Sequence, residues 1–279
     1  MTGYRIKHAT TGIVRTVLVY ILAILFLFPI YIVIINSFKT KGEMMNSAVA
    51  LPNSFYLGNY LTIFTSNDFT SSFLCSVVVV FFTTVFTIIL SALAGYALAR
   101  WKSKAATVIS MIFMSTLFVP FQVYMVSMIV IASRLHLTGN LFGLIIIYIS
   151  LGMPVPIFLF RSYAKSLPME IEEAAMIDGC SKMQTFVSIV FPLMKPIVAT
   201  VAVLNALWAW GEFLVAFLVY GNHKPMTIPL SQQYFYGTYT NEWNLIMTSF
   251  IVTSIPIVIL YLFTQKYIVK GIASGAVKG

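Results

Sequence analysis

The chain has 279 residues, of which 59% are hydrophobic and only 9% charged, with a mean hydropathy of +0.93. Soluble domains run at roughly 45–50% apolar and about 25% charged, so a soluble enzyme, a disordered chain and a disulfide scaffold are all excluded. The net charge of +9 would suggest nucleic acid in a soluble chain, but in a membrane protein the placement of the cations decides what it means.

An apolar stretch of about 20 residues crosses a ~30 Å hydrocarbon core as a helix. Six such stretches occur in chain order, at 16–36, 73–98, 106–131, 141–160, 196–220 and 245–264. Arg5, Lys7 and Arg15 precede the first, as in a signal peptide. Its apolar core is too long for one, however, and no small-residue cleavage site comes after it, so it reads as a retained span. Six spans put both termini on one side. With that side cytoplasmic, only Lys39, Lys41, Arg134 and Lys224 of the 17 Lys and Arg residues lie outside, as the positive-inside rule requires. The basic balance therefore reports insertion topology, and no nucleic-acid partner is expected. Three loops are long enough to have a job or a partner: 37–72 and 221–244 outside, and 161–195 inside.

Several chemistries fall away. His8, His136 and His223 lie outside the spans, which removes intramembrane Ser–His pairs and haem ligation. Cys75 and Cys180 form no disulfide framework and no metal spacing, so no metal site is expected. The tail Gly271-Ile-Ala-Ser274-Gly275 mimics a serine-nucleophile turn but has no base near it. No G-x-x-x-x-G-K-[ST] phosphate loop occurs, so the chain does not bind ATP by that device. Carriers and pumps commonly set several ionisable residues in the membrane, whereas here Glu212 alone falls within a span. It reads either as a carboxylate capped by its neighbours near the outer interface or as a gate or substrate group on a pathway. Pro120, Gly152-Met-Pro154-Val-Pro156, Gly211 and Pro256 interrupt the helical pattern at mid-span. Such breakers suit a bundle bent around a central pathway, and are also common in membrane helices with no role.

The inner loop carries the strongest signal. Pro168 suits a first helical turn, and Glu170, Glu172 and Glu173 complement the positive end of the helix they open. Ile171, Ala174, Ala175 and Asp178 share one face, and Gly179 can take the left-handed conformation that ends the helix. Ser181 followed by Gln184 spells a capping box opening a second helix. The product is a compact helix–turn–helix with a small-residue face, suited to pressing into a groove on another protein.

The run Glu173-Ala174-Ala175-x-x-Asp178-Gly179, then nine residues, then Ile189-x-Phe191-Pro192, resembles the EAA loop of bacterial ABC-importer permeases. Cys180 and Phe191 stand where Ala and Leu are usual. The resemblance spans nearly the whole chain and points to the carbohydrate-uptake, MalG-like branch. It rests also on Phe28-Pro29, Ser37-Phe38-Lys39, Asn59-Tyr60, the run Ala94-Gly95-Tyr96-Ala97-Leu98-Ala99-Arg100, Trp210-Gly211-Glu212-Phe213-Leu214, and the tail from Gly271 to Gly279. Gly211 and Cys75 each replace a usual Asn.

The resemblance implies an all-α membrane protein of the type I importer (MetI-like) fold. It has six transmembrane helices and a cytoplasmic coupling-helix loop at 161–195, within one permease domain over 1–279. It implies no catalysis and no cofactor in this chain, with ATP and Mg on a partner. It also implies docking of a homodimeric cytoplasmic ATPase through Glu173, Ala174, Ala175, Asp178 and Gly179, and through Lys278 and Gly279 of the tail, a segment whose composition alone reads as disordered. A second homologous permease, an extracellular solute-binding protein and a bacterial inner membrane with both termini cytoplasmic complete the expected setting. The expected cargo is a sugar or oligosaccharide. A polyol or glycerol phosphate is the alternative, and a stand-alone carrier using Glu212 is the alternative of another class. Gln122, Asn205, Trp208, Trp210 and Glu212 are candidate path-lining groups, since sugars need hydrogen-bond partners and flat apolar faces. Trp208 and Trp210 also read as an interfacial aromatic belt, the reading that such paired tryptophans favour.

Overall fold

A computed structural model describes residues 2–65, 69–235 and 242–276, with side-chain surroundings for 15–65, 69–233, 235 and 242–265. Among the described residues every regular element is helical. In chain order the α-helices are α1 (Thr2–Ser37), α2 (Lys41–Asn46), α3 (Gly58–Thr65), α4 (Phe69–Arg100), α5 (Lys104–Ser115), α6 (Phe121–Arg134), α7 (Leu141–Gly152) and α8 (Pro154–Ser166). They continue with α9 (Glu170–Ile177), α10 (Lys182–Thr185), α11 (Phe191–Leu193), α12 (Lys195–Gly211), α13 (Leu214–Val219), α14 (Ile228–Ser231) and α15 (Trp243–Ala276). A π-helical turn, Phe186–Val190, joins α10 to α11.

Three segments are long and apolar enough to cross a membrane unbroken: Arg15–Ser37, Phe69–Arg100 and Trp243–Gln265. The other three expected spans are not straight. Lys104–Phe118 and Phe121–Arg134 meet at 110°, and Leu141–Gly152 and Pro154–Ser166 at 48°. The third bent pair, Lys182–Leu193 with Lys195–Gly211 at 76°, begins and ends before the expected 196–220. The first two bends coincide with prolines, while the third falls at Met194, between Pro192 and Pro196. Pro120 and Pro154 lack an amide donor, and α12 stops at Gly211, leaving Leu214–Val219 as a separate short helix. Pro256, expected as a breaker, instead lies inside a continuous α15, as Pro29 does inside α1.

The chain divides into two compact units, Met1–Phe69 with Gln232–Ile255, and Thr70–Ser231 with Pro256–Gly279. In the first, α1 leaves its apolar surface from Val17 to Ile34 largely exposed, and polar groups knit the segment beyond its C-terminus. Asn59 Nδ2 donates to the carbonyls of Ser37 (2.9 Å) and Lys39 (2.8 Å), and its Oδ1 accepts from Asn244 Nδ2 at 2.8 Å. The hydroxyls of Ser37 and Tyr60 meet at 2.8 Å. Buried Lys39 donates from Nζ to the Ser47 carbonyl at 2.9 Å. The Ser37-Phe38-Lys39 and Asn59-Tyr60 motifs thus fold the segment after α1 onto itself.

In the second unit one core joins α4, α7, α12 and α13 around Cys75, Val79, Leu144, Tyr148 and Ala216. Another joins α4, α8 and the π-turn around Ala92, Phe160, Ala164, Phe186 and Met194. Gly95 makes the second core possible. A Cβ there would stand 2.7 Å from Phe160 Cβ and 2.8 Å from the Arg161 nitrogen, so only glycine lets α4 approach α8 so closely.

Candidate functional site

The 161–195 loop folds as its local sequence demands. α9 opens with Glu170, Glu172 and Glu173 in its first turn, where carboxylates favour the helix dipole. It closes on Gly179 at φ 88°, with the Gly179 nitrogen donating to Met176 O (3.1 Å) and the Cys180 nitrogen to Ala175 O (3.0 Å). That pair of bonds is the Schellman closure, which needs a left-handed residue at this position. No atom of the described residues lies within 4 Å of where a Gly179 Cβ would stand, so the demand is conformational rather than steric. The Ser181–Gln184 capping box forms in both directions, at 3.3 and 2.8 Å, and starts α10.

The docking candidates separate on this scaffold. Glu173, Ala174, Asp178 and Gly179 are exposed, while Ala175 packs into the chain's own body. Ile177, outside the expected set, is 85% exposed and adds an apolar knob to the same helix. Lys278 and Gly279 lie outside the described residues.

Glu172 is turned inward and fully engaged. Its Oε1 accepts from Arg100 Nε (2.9 Å) and Nη2 (2.6 Å), and its Oε2 from the Tyr96 hydroxyl (2.7 Å). The same Nη2 reaches the Leu167 carbonyl at 3.2 Å. Motif spacing does not reveal these partners, because 72 positions separate Arg100 from Glu172. One local signal does point to them: Tyr96 and Arg100 stand one helical turn apart, ahead of a loop rich in carboxylates.

The path candidates fall beside α12 on two different faces. Asn205 and Trp208 line a cavity of about 320 Å³ with Gly152, Pro156 and Leu204. Asn205 Oδ1 accepts from Thr84 Oγ1 at 3.2 Å, and the Trp208 ring tilts against Tyr148 at 5.3 Å. Trp210 turns away, packing edge-on to Phe73 at 5.8 Å and lining an apolar cavity of about 480 Å³ between α4, α12 and α15. Two residues along a helix rotate the side chain by about 200°, which explains the split. Glu212 sits in the break between α12 and α13. There its Oε1 accepts from Val215 N at 2.9 Å and its carbonyl from the Tyr148 hydroxyl at 2.9 Å, so it caps a broken helix. Gln122 is exposed and lines neither cavity.

A family described as binding-protein-dependent transport system inner membrane component matches residues 87–274. The chain is 36% identical to the multiple sugar-binding transport system permease protein MsmG of Streptococcus mutans, over 95% of this chain and 96% of that one. It is 35% identical to the probable starch degradation products transport system permease protein AmyC of Thermoanaerobacterium thermosulfurigenes, over 94% and 96%. Among solved structures, a bacterial ABC transporter involved in the import of the acidic polysaccharide alginate superimposes with a TM-score of 0.77 at 22% identity, covering 93% of this chain and 96% of that one. At that identity the likeness speaks for the fold.

Proposed function

The chain belongs to the binding-protein-dependent transport system inner membrane components, and from that premise we propose that it passes a sugar or oligosaccharide through the membrane for an ATP-driven importer. It performs no catalysis itself. In this reading residues 1–279 act as one permease domain with the 161–195 loop and both termini on the cytoplasmic side. A second permease subunit stands beside it, a binding protein delivers the solute from outside, and a separate cytoplasmic ATPase holds ATP and Mg.

The observation that carries the reading is α9. It is a short helix closed by Gly179, with Glu173, Ala174, Asp178 and Ile177 exposed on a loop that offers no nucleotide-binding motif of its own. A separate protein gripping that surface supplies the missing energy source, with Glu173, Ala174, Asp178 and Gly179 in the contact and Ala175 shaping it from beneath. The tail residues Lys278 and Gly279 belong to the same proposed contact. Asn205 and Trp208 supply a hydrogen-bonding amide and a flat ring to one cavity, which suits a saccharide crossing beside α12. Glu212, engaged as a cap, supports the broken-helix geometry rather than ion coupling.

The test is replacement of Gly179 by Val in the reconstituted transporter. A β-branched residue in the left-handed region costs roughly 1–2 kcal/mol or more and distorts the end of α9. ATPase co-purification and solute uptake should both fall. Undiminished uptake with a Val at this position would overturn the docking role of α9. A ligand screen on the binding protein, with oligosaccharides, polyols and glycerol phosphate as arms, tests the cargo.

A further inference from the structure

α9 is held to the rest of the chain by very little. It buries only Glu172 and Ala175. Through the backbone it connects to α8 on one side and, by way of α10, the π-turn and α11, to α12 on the other. α4 has no such link to the loop. Its last turn meets α9 through side chains alone, at the Glu172 carboxylate held by Arg100 and Tyr96. The Tyr96 ring also packs on Phe186 of the π-turn at 5.0 Å.

This junction has the features of a rigid coupling. Nε and Nη2 of Arg100 converge on Glu172 Oε1, the Tyr96 hydroxyl takes Oε2, and the same Nη2 also donates to the Leu167 carbonyl at the α8–α9 turn. Charge-assisted bonds of 2.6–2.9 Å in a site sheltered from water resist displacement far better than apolar contact, which permits sliding. The element it grips is a lever. α4 is a single helix of 32 residues, about 48 Å at 1.5 Å per residue. Higher along it, Val77, Val80 and Thr84 form a wall of the larger cavity, and Thr84 bonds Asn205, which lines the smaller one.

We propose that Arg100, with Tyr96, is a positioning residue that latches α9 to the last turn of α4 through Glu172, so that displacement of α9 moves the cavity-lining wall of α4. The proposal rests on α9 being the ATPase-docking helix. It assigns to Arg100 and Tyr96 the step between docking and the path, not the docking itself.

The experiment compares Arg100→Lys and Tyr96→Phe with the unmodified chain in the complete transporter in proteoliposomes. Three quantities are read: ATPase retained on purification, ATP hydrolysis, and solute imported per ATP. Lysine keeps the charge but loses the planar fork, and phenylalanine keeps the ring but loses the hydroxyl. Retained ATPase and hydrolysis should stay within about twofold, while solute per ATP falls about tenfold in Arg100→Lys and by less in Tyr96→Phe. A purely structural role would lower all three together, and would overturn the latch. So would an unchanged import ratio in Arg100→Lys. If the unmodified chain retains no ATPase at all, the docking reading fails first and the latch with it. Loss of the ratio with ATPase still bound is the result that belongs to the latch alone.

Discussion

Lys39 and Arg100 are both cations that the fold draws away from water, Lys39 fully and Arg100 with 16% of its side chain still exposed, and they are accommodated in opposite ways. Lys39, 1% exposed, gives its ammonium one hydrogen-bond acceptor among the described residues, the neutral carbonyl of Ser47. Burial pulls its pKa below the ordinary lysine range, while the nearby Glu43 carboxylate pushes it back up. Arg100 meets a carboxylate, a tyrosine ring and a carbonyl at once. A guanidinium does not escape burial by giving up its proton, so the fold has to supply a counter-charge. The difference separates two uses of a buried cation. One ties a segment to itself through a carbonyl, and the other fixes two elements in register through a pair of charges.

Removing each partner should separate the two regions on the stability scale. Arg100→Ala strands Glu172 as a buried carboxylate with only the Tyr96 hydroxyl, and losing one member of a buried pair costs about 3–5 kcal/mol. Unfolding of the detergent-solubilised chain, followed in denaturant, should show that loss. Lys39→Met keeps the length and apolar stem, leaves the Ser47 carbonyl without its donor and removes the positive charge near the Glu43 carboxylate. The expected cost is about 1–2 kcal/mol, because a bond from a charged donor contributes about 1.5–3 kcal/mol and the cost of burying the ammonium offsets part of it. Equal losses from the two substitutions would break the comparison, and would mean that the ammonium is held by more than its one carbonyl.

The two regions also differ in how legible they are. The inner loop is spelled locally: the Schellman glycine, the capping box and the acidic first turn all fall within five residues of the features they control. The Gly179 turn and the Ser181 cap therefore form where the spacing places them. The partners of Glu172 and the glycine contact of Gly95 depend on helices meeting across the chain, which spacing does not encode. Trp208 and Trp210 read as one aromatic group in the sequence, and helical rotation sends them to separate cavities. Pro120 and Pro256 look alike in sequence. Pro120 ends one helix and starts another, while Pro256 is absorbed within α15, where neighbouring turns carry the helix past the missing donor.

The smallest effect expected is on the segment that Lys39 closes, and it depends on pH. Glu43 completes the capping box with Thr40: its Oε2 accepts from the Thr40 nitrogen at 3.1 Å and its Oε1 from the Asn53 nitrogen at 3.2 Å. Those donors favour the carboxylate, the Thr40 amide most of all, and hold its pKa below the ordinary glutamate range. A group depressed on folding contributes stability that is present above its unfolded pKa and lost as pH falls through the folded one. Amide-exchange protection at Thr40 and Asn53 should therefore persist from neutral pH and decline only as pH falls below the ordinary glutamate pKa of about 4.3. The Glu43→Gln chain should start with less protection at the same two amides and show no such decline. Protection in the unmodified chain that ignores this window would mean that Lys39 and the Asn59 network hold the segment without the carboxylate.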